Sequence, residues 1–331
     1  MKTIYLDWNV FSLLFNREKI QNTEDKETFD NLYNVIQGLK KELIIPFSNA
    51  HLQDLYKSYK KGERERVDTS LEFIKELTNS VCITQYWDQT SARFHQRDPF
   101  EFFNSLKEEE DNSFNSFDDV LNTLKEVGAD KLFDVYKELP HNMNFEQIKE
   151  QNPFFASLFP RSQKENNMYA VMFDMFDLIS SVRQNPVIYS ELRKLFKNGL
   201  QIDPNISNYE NTIEQLDTYL PKTMLNKSFT ELYSENNKRN YSKNIDYELI
   251  TGLYMQLDFV GYHSDKINEK NTYENLFNDA LHCFYAAHSN VYLTNDKRNY
   301  KKTKAVFENQ NISTLIMTPT EFIDYLLDRK H

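Results

Sequence analysis

Three acidic stretches far apart in the chain share one kind of setting. Asp7 closes the apolar run Ile4-Tyr5-Leu6 and is followed by Trp8-Asn9-Val10. Asp296 follows Val291-Tyr292-Leu293 through the polar pair Thr294-Asn295. Asp279 stands in Asn278-Asp279-Ala280-Leu281-His282, on the helix expected just before that second run. Ligands of open α/β sheets bind beyond the carboxyl ends of the strands, where such side chains converge. Converging carboxylates repel one another unless a cation neutralises them. Hard cations prefer carboxylate oxygen, so the chemistry these residues point to is a Mg²⁺ or Mn²⁺ site.

Each residue also has a plainer reading. Asp and Asn after a strand are favoured helix caps, which would explain Asp7 and Asn9 without a ligand. Asp54 lies three residues after His51, on the same helical face, and a surface acid on an amphipathic helix is the usual case. His51 itself could be a ligand, a group supporting one, or a buried histidine with satisfied nitrogens. Asn275, Asp279 and His282 share a stripe whose simple reading is a solvent-facing polar face. Asn295-Asp296 is a good turn sequence. Lys297, Arg298, Lys301, Lys302 and Lys304, with Tyr300 among them, form a basic strip directly after Asp296. Beside a metal it would hold a phosphate backbone. As a solvated helix face it needs no function.

The elements that must position these residues follow from hydrophobic spacing. Residues 2–6 predict a strand and 9–16 a short helix. Residues 28–41 predict a helix through Phe29, Leu32, Tyr33, Ile36 and Leu39. The run 43–47 predicts a strand end limited by Pro46. Ser48 predicts a helix N-cap, with the helix continuing to Tyr59. A helix over 67–77 and a strand over 81–84 complete the first block. The second block repeats the grammar, with helix 273–287, strand 291–294, helix 301–310, strand 312–317 and helix 319–327. Alternating strands and helices imply an α/β fold with a parallel sheet. Between the blocks, 117–139, 166–196 and 246–260 have helical spacing and few strand signals. The acidic stretch 101–119 reads as a solvated face or loop. Residues 85–269 therefore read as a helical insertion of unknown role in one α/β domain formed by 1–84 and 270–331.

Bulk composition narrows the classes. The chain has 331 residues, 40% of them hydrophobic, with 25 Phe and 20 Tyr, enough for a large aromatic core. Its two cysteines form no CxxC pair and suit a reducing compartment. The first residues already read as a strand, so no cleaved leader is expected, and no apolar run reaches the roughly 18 residues of a membrane span. A cytoplasmic location and no membrane partner are the expectation. A net charge of −11 argues against a whole-surface polyanion binder but leaves room for a local basic strip. Six scattered glycines carry neither GxGxxG nor GxxxxGK[ST], which argues against nucleotide binding through a glycine-rich loop.

Taken together the motifs resemble the PIN-domain nucleases. Leu6-Asp7-Trp8-Asn9-Val10 matches the family's opening strand and first acid, and Asp54 after Ser48 matches its second, with Asp in place of the more usual Glu. Asp279 matches the third acid, and Thr294-Asn295-Asp296 the Thr-x-Asp ending strand four. The resemblance covers roughly residues 1–84 and 270–330, and the chain is about twice the usual length of that domain. It implies a three-layer α/β/α sandwich with a central parallel sheet. It also implies a metal-dependent nuclease, foremost an endoribonuclease, with Asp7, Asp54, Asp279 and Asp296 holding one or two ions. Asn9, Thr294 and Asn295 would orient carboxylates or water. His51 or His282 would move protons near neutral pH. The basic strip from Lys297 to Lys304 would grip the nucleic acid, with RNA favoured over DNA. A role as a toxin or defence effector is the looser expectation. A structure-specific DNA nuclease and a non-catalytic scaffold binding nucleic acid or a partner protein stay open, as do a protein inhibitor and a homo-oligomer.

Overall fold

The computed structural model describes residues 2–86, 89–111, 117–126, 131–223, 225–234, 245–268 and 271–328. The first block runs β1 Lys2–Leu6, α1 Trp8–Phe15, α2 Thr23–Gly38, β2 Leu43–Ile44, α3 Asn49–Lys60, α4 Arg64–Thr78 and β3 Val81–Thr84. Then come β4 Arg93–Gln96, α5 Pro99–Asp111, α6 Phe117–Glu126, α7 Leu132–Glu138, α8 Phe145–Gln151, α9 Pro153–Ser157, α10 Met168–Gln184 and α11 Pro186–Gly199. The chain closes with α12 Thr212–Tyr219, α13 Glu231–Ser234, α14 Tyr247–Val260, α15 Tyr273–Ala286, β5 Val291–Leu293, α16 Lys297–Asn309, β6 Leu315–Met317 and α17 Pro319–Asp328.

Two compact units emerge. One comprises Met1–Glu109, Phe196–Asp265 and Asn275–His331, the other Glu110–Leu195 and Lys266–Glu274. Residues 85–109 and 196–265, which the sequence groups with the helical insertion, thus fall in the unit that contains the sheet. In the second unit, Phe117 packs against Phe173 with ring centroids 5.0 Å apart. There the buried Asp174 accepts hydrogen bonds from the backbone amides of Arg161 and Ser162 and from the Ser162 hydroxyl.

The first unit holds a four-stranded parallel sheet in the order β2-β1-β5-β6. A single parallel bridge from Phe47 to Cys82 links the segment after β2 to β3, which pairs antiparallel with β4. Pro46 has no amide hydrogen to give, so regular pairing stops at Ile44 and resumes only at Phe47. Alternation along β1 sends Ile4 and Leu6 into one core with Phe11, Leu14, Phe29, Leu32, Leu52 and Leu55. Tyr5, between them, meets Tyr285 of α15. Each strand of this sheet is short, and side-chain hydrogen bonds between strand ends supplement the ladder.

Several elements differ from expectation. β4 is not expected from the sequence, because Arg93-Phe94-His95-Gln96 is polar and largely exposed. The acidic stretch 101–119 is not a loop over its first part. α5 buries Phe102, Phe103 and Leu106 there, while residues 112–116 lie outside the described residues. Span 117–139 contains α6 and α7, with 127–130 outside the described residues. Span 166–196 divides into α10 and α11 at Asn185-Pro186, because a residue before proline avoids helical geometry. α16 begins four residues earlier than expected, which makes Asp296 its N-cap.

Candidate functional site

β1 and β5 are adjacent and in register, Leu6 opposite Leu293. Asp7 and Thr294, the next residue after each strand, therefore emerge side by side at the carboxyl edge. The Asp7 amide donates to Leu293 O at 2.8 Å, which extends the ladder by one bond. Thr294, fully buried, donates its hydroxyl to Asp7 Oδ2 at 2.6 Å. Asn9 Nδ2 donates to the same oxygen at 2.7 Å, and Asn9 Oδ1 accepts the Asn295 amide at 3.0 Å. Asn9 thus staples the two strand ends. The Asn295 contribution is its backbone, since its side chain is exposed.

Asp7 is 3% exposed and also caps α1, its Oδ1 accepting the Trp8 amide at 2.8 Å. The capping and site readings of this residue hold together. Burial raises its carboxyl pKa, repulsion from Asp296 and Asp54 adds to that, and His282 and the Thr294 hydrogen bond offset part of it. Asp279 is half-buried on α15 and accepts no hydrogen bond among the described residues. Burial, then repulsion from Asp7, pushes its carboxyl pKa well up, against the pull of Lys302. Asp296 is exposed and uses Oδ1 to accept the amides of Arg298 and Asn299 at 2.7 and 3.0 Å. It sits at the rim of the group and acts on Asp7 through charge.

Asp54 has a different environment. Its Oδ1 accepts from Lys57 at 2.8 Å, and Oδ2 accepts from Asn278 Nδ2 at 2.7 Å and faces His282 Nε2 at 3.3 Å. Burial pushes its pKa up, but His282 and Lys57 outweigh that and hold it below the ordinary carboxylate value. Asp54 is thus an ionised, already partnered acid, whereas Asp279 has no hydrogen-bond donor among the described residues and only the charge of Lys302 to offset its burial.

The two histidines are internal. His51 Nδ1 accepts the Ser48 amide at 3.0 Å, so Nε2 carries the proton and donates it to Leu6 O at 2.8 Å. This is the reciprocal half of the Ser48 capping box. Burial, and then the neighbouring His282, lowers its pKa well below the ordinary value. His51 is therefore a neutral structural group with both nitrogens engaged, not a proton carrier beside a substrate. His282 is 1% exposed, with Nδ1 at 2.8 Å from the Tyr5 hydroxyl, which in turn is 2.7 Å from Ser48 Oγ. The ionised Asp54 can only accept, so His282 Nε2 donates to it, while Nδ1 shares a hydrogen bond with the Tyr5 hydroxyl. The chain Asp54–His282–Tyr5–Ser48 ties α3, α15 and β1 together behind the acids.

The basic strip is not one surface. Lys302 is fully buried, with Nζ 2.8 Å from Asp265 Oδ2 and 3.4 Å from Asp258 Oδ1. Burial lowers its pKa, but Asp258 and Asp265 overcome that and hold it raised and charged. This corrects the expectation that Lys302 contacts a ligand. Arg298 pairs with Asp265 at 3.1 Å and Lys304 with Glu308 at 3.6 Å. Lys301 and Lys304 line a groove of about 640 Å³ together with Glu210, Glu214, Asp217 and Glu308. Lys297 is exposed.

Two residues of the site escaped sequence reasoning. Asn299 is 2% exposed and bridges Asp7 Oδ2 at 3.0 Å and the Tyr292 hydroxyl at 2.8 Å, while its Oδ1 accepts from Thr303 at 2.9 Å. Asn278 holds Asp54 and also donates to Ala50 O at 3.0 Å. Its Oδ1 is buried with no partner among the described residues. For α16 a signal was present. Asn299, Lys302, Thr303, Val306 and Phe307 follow helical spacing and are all buried, so the period that marks Val306 and Phe307 as core includes Asn299 and Lys302.

Among the described residues no group of three or more His, Cys, Asp or Glu side chains is placed so that it could hold a metal ion. No helix among them is long and apolar enough to cross a membrane. Comparison of the chain with protein-family models, with curated proteins and with solved structures gives no match.

Proposed function

We propose that the chain is a divalent-metal-dependent nuclease of the PIN-like kind, an endoribonuclease in the first instance. One observation carries the reading. Asp7, buried at the carboxyl edge of a parallel sheet, and the half-buried Asp279 are both raised in pKa, chiefly by burial, Asp279 also by repulsion from Asp7, and Asp279 has no hydrogen-bond donor among the described residues. An uncompensated acid next to a second acid is a poor structural element and a good oxygen donor set for a hard cation. The resemblance of the four acidic motifs to PIN-domain nucleases supports the same assignment, as does a parallel sheet of the observed order.

The donor chemistry fits Mg²⁺ or Mn²⁺, with Asp7 and Asp279 as the principal ligands, Asp296 at the rim and Asp54 within reach of their field. When bound, such an ion lowers the pKa of a water and stabilises charge on a phosphoryl oxygen. The chain's own residues supply the rest. Thr294, Asn9 and Asn299 fix Asp7 Oδ2 in one orientation. Asp54, held by Asn278, His282 and Lys57, stays ionised and adds negative potential without needing to move. Lys302, buried among Asp258 and Asp265, lowers the Asp279 pKa and so limits the cost that the acids bear without the ion.

A second reading, a non-catalytic PIN-like scaffold binding nucleic acid or a partner protein, is favoured by the saturation of Asp7, whose carboxylate already has four donors. One experiment separates the two. Labelled single- and double-stranded RNA and DNA are incubated with the protein in Mn²⁺, Mg²⁺ or EDTA. The nuclease reading expects metal-dependent cleavage that falls at least about a hundredfold, roughly 3 kcal/mol in barrier, in Asp7→Asn and in Asp279→Asn. Cleavage equal to wild type in both variants, or none by wild type in any metal, would refute it.

A further inference from the structure

On α16 Arg298, Lys302 and Lys304 are paired with acids, which leaves Lys297 and Lys301 of the basic strip. α3 offers an alternative. It carries Asp54 of the site, then Lys57 beside it, and at its end Lys60, which lies about a third of a turn round the helix from Asp54. Beyond the short turn at Gly62, Arg64 opens α4. Two tyrosines line this path. Tyr56 and Tyr59 stack with ring centroids 6.1 Å apart and planes at 15°. The cations are held against these rings. Lys60 Nζ lies 4.9 Å from the centre of Tyr56, Arg64 lies 5.5 Å from Tyr59, and Lys107 of α5 lies 4.7 Å from Tyr59.

Lys60 and Arg64 are exposed and Lys107 is half-buried. None of the three is ion-paired among the described residues. Glu63, the acid beside Arg64, is engaged by Arg66 at 2.9 Å. In a chain of net charge −11 this is an unmatched row of cations whose positions are set by aromatic faces. It starts at the site, because Lys57 touches Asp54 at 2.8 Å. From Asp54 to Lys60 the helix rises by roughly 9 Å. Partly exposed tyrosines between cations are the elements that hold single strands, phosphates on the cations and bases on the rings.

We infer that the Tyr56–Tyr59 face of α3, with Lys60, Arg64 and Lys107, is a binding track that leads single-stranded RNA to the acidic site. The track rests on the nuclease reading for its direction, but its binding is measurable without cleavage. The plainer account of these cations is that they complement the carboxyl-terminal dipole of α3. That account expects a small loss of thermal stability on neutralisation and no effect on RNA.

The test is a titration of full-length protein with a short, unstructured, fluorescently labelled RNA in EDTA, over a range of salt. Lys60→Gln/Arg64→Gln/Lys107→Gln is compared with wild type, with Lys301→Gln/Lys304→Gln, and with a Lys60→Arg/Lys107→Arg variant that keeps the charge. The track variant should bind roughly tenfold or more weakly. Its dependence of log K on log salt should flatten by about 2, near 0.7 for each phosphate that is no longer neutralised. The α16 variant and the arginine variant should match wild type. Equal affinity and slope in the track variant and wild type would overturn the inference, as would the same weakening in the α16 variant. Cleavage in Mn²⁺, run alongside, keeps the two proposals apart. Track-dependent binding without cleavage keeps the track and removes the nuclease. Cleavage with an unaffected track variant does the reverse.

Discussion

Asp279→Asn should make the metal-free protein more stable. The side chain keeps its size and loses its charge. In the wild type that charge is half-buried, has no hydrogen-bond donor among the described residues, and faces Asp7. Removing an unsatisfied buried group of this kind is worth about 1–3 kcal/mol. For a unit of this size each kcal/mol moves the melting midpoint by about 2–4 °C. The sign with pH is fixed by the direction of the shift. An acid whose folded pKa is raised binds more protons folded than unfolded, so wild-type stability falls as pH climbs above the ordinary value of 3.8 and continues to fall until the folded group ionises. The stability gap between variant and wild type should therefore vanish below pH about 4 and widen toward neutrality. The assay is thermal unfolding in EDTA from pH 4 to 8, repeated with saturating Mn²⁺. Wild type should gain on adding Mn²⁺, about 2.7 kcal/mol at a hundredfold excess over its dissociation constant, while the variant gains little. A variant that melts below wild type in EDTA at pH 7 would refute the reasoning, since the carboxylate would then have a partner worth more than its repulsion costs.

Asp54→Ala should act in the opposite direction, losing about 1–3 kcal/mol at pH 7 because Lys57, Asn278 and His282 lose their acceptor. Its folded pKa is depressed, so that loss should shrink as pH falls below the ordinary 3.8 and toward the folded value, which urea unfolding at two pH values would read. Lys302→Met should cost about 3–5 kcal/mol by leaving Asp258 and Asp265 without their buried cation, whereas Lys304→Gln, whose ion pair is exposed, should stay within about 0.5 kcal/mol in the same denaturation assay. Asn299→Ala should cost about 1–3 kcal/mol and lower cleavage, because Asp7 Oδ2 and the Tyr292 hydroxyl lose a shared partner. Unchanged unfolding and unchanged cleavage would mean that Thr294 and Asn9 suffice to hold Asp7.

Much of the sheet was legible because it is local. Ile4-Tyr5-Leu6 and Val291-Tyr292-Leu293 are apolar without alternation, as strands buried on both faces must be, and each runs directly into a polar break. Ser48 was legible as a cap, and Pro46 as the limit of β2. What was not legible depends on partners distant in sequence. Nothing near His51 shows that Leu6 O, 45 residues away, will take its proton. Nothing near Lys302 shows that Asp258 and Asp265 will bury it, and a lysine-rich segment reads as solvent-facing unless its apolar period is followed first. α15 misled in another way. It is buried on nearly all sides, Asn278 and Ala280–Ala286 alike, so its polar residues are internal rather than a wet stripe.

The site divides into acids that are satisfied and acids that are not, a division that composition and spacing alone do not contain. Asp7 and Asp54 are fixed by donors from α1, α3, α15, α16 and Thr294 after β5, and these hydrogen bonds hold the carboxyl edge of the sheet together. Asp279 contributes nothing of this kind. Burial of its charge, and then repulsion from Asp7, disfavours its ionised form in the folded chain, and Lys302 offsets only part of that. That cost is what the proposed cation would offset at Asp279. The same logic separates the two basic segments. Lys302 and Arg298 are bound to acids within the fold, whereas Lys60 and Arg64 rest on tyrosine faces with no acidic partner among the described residues.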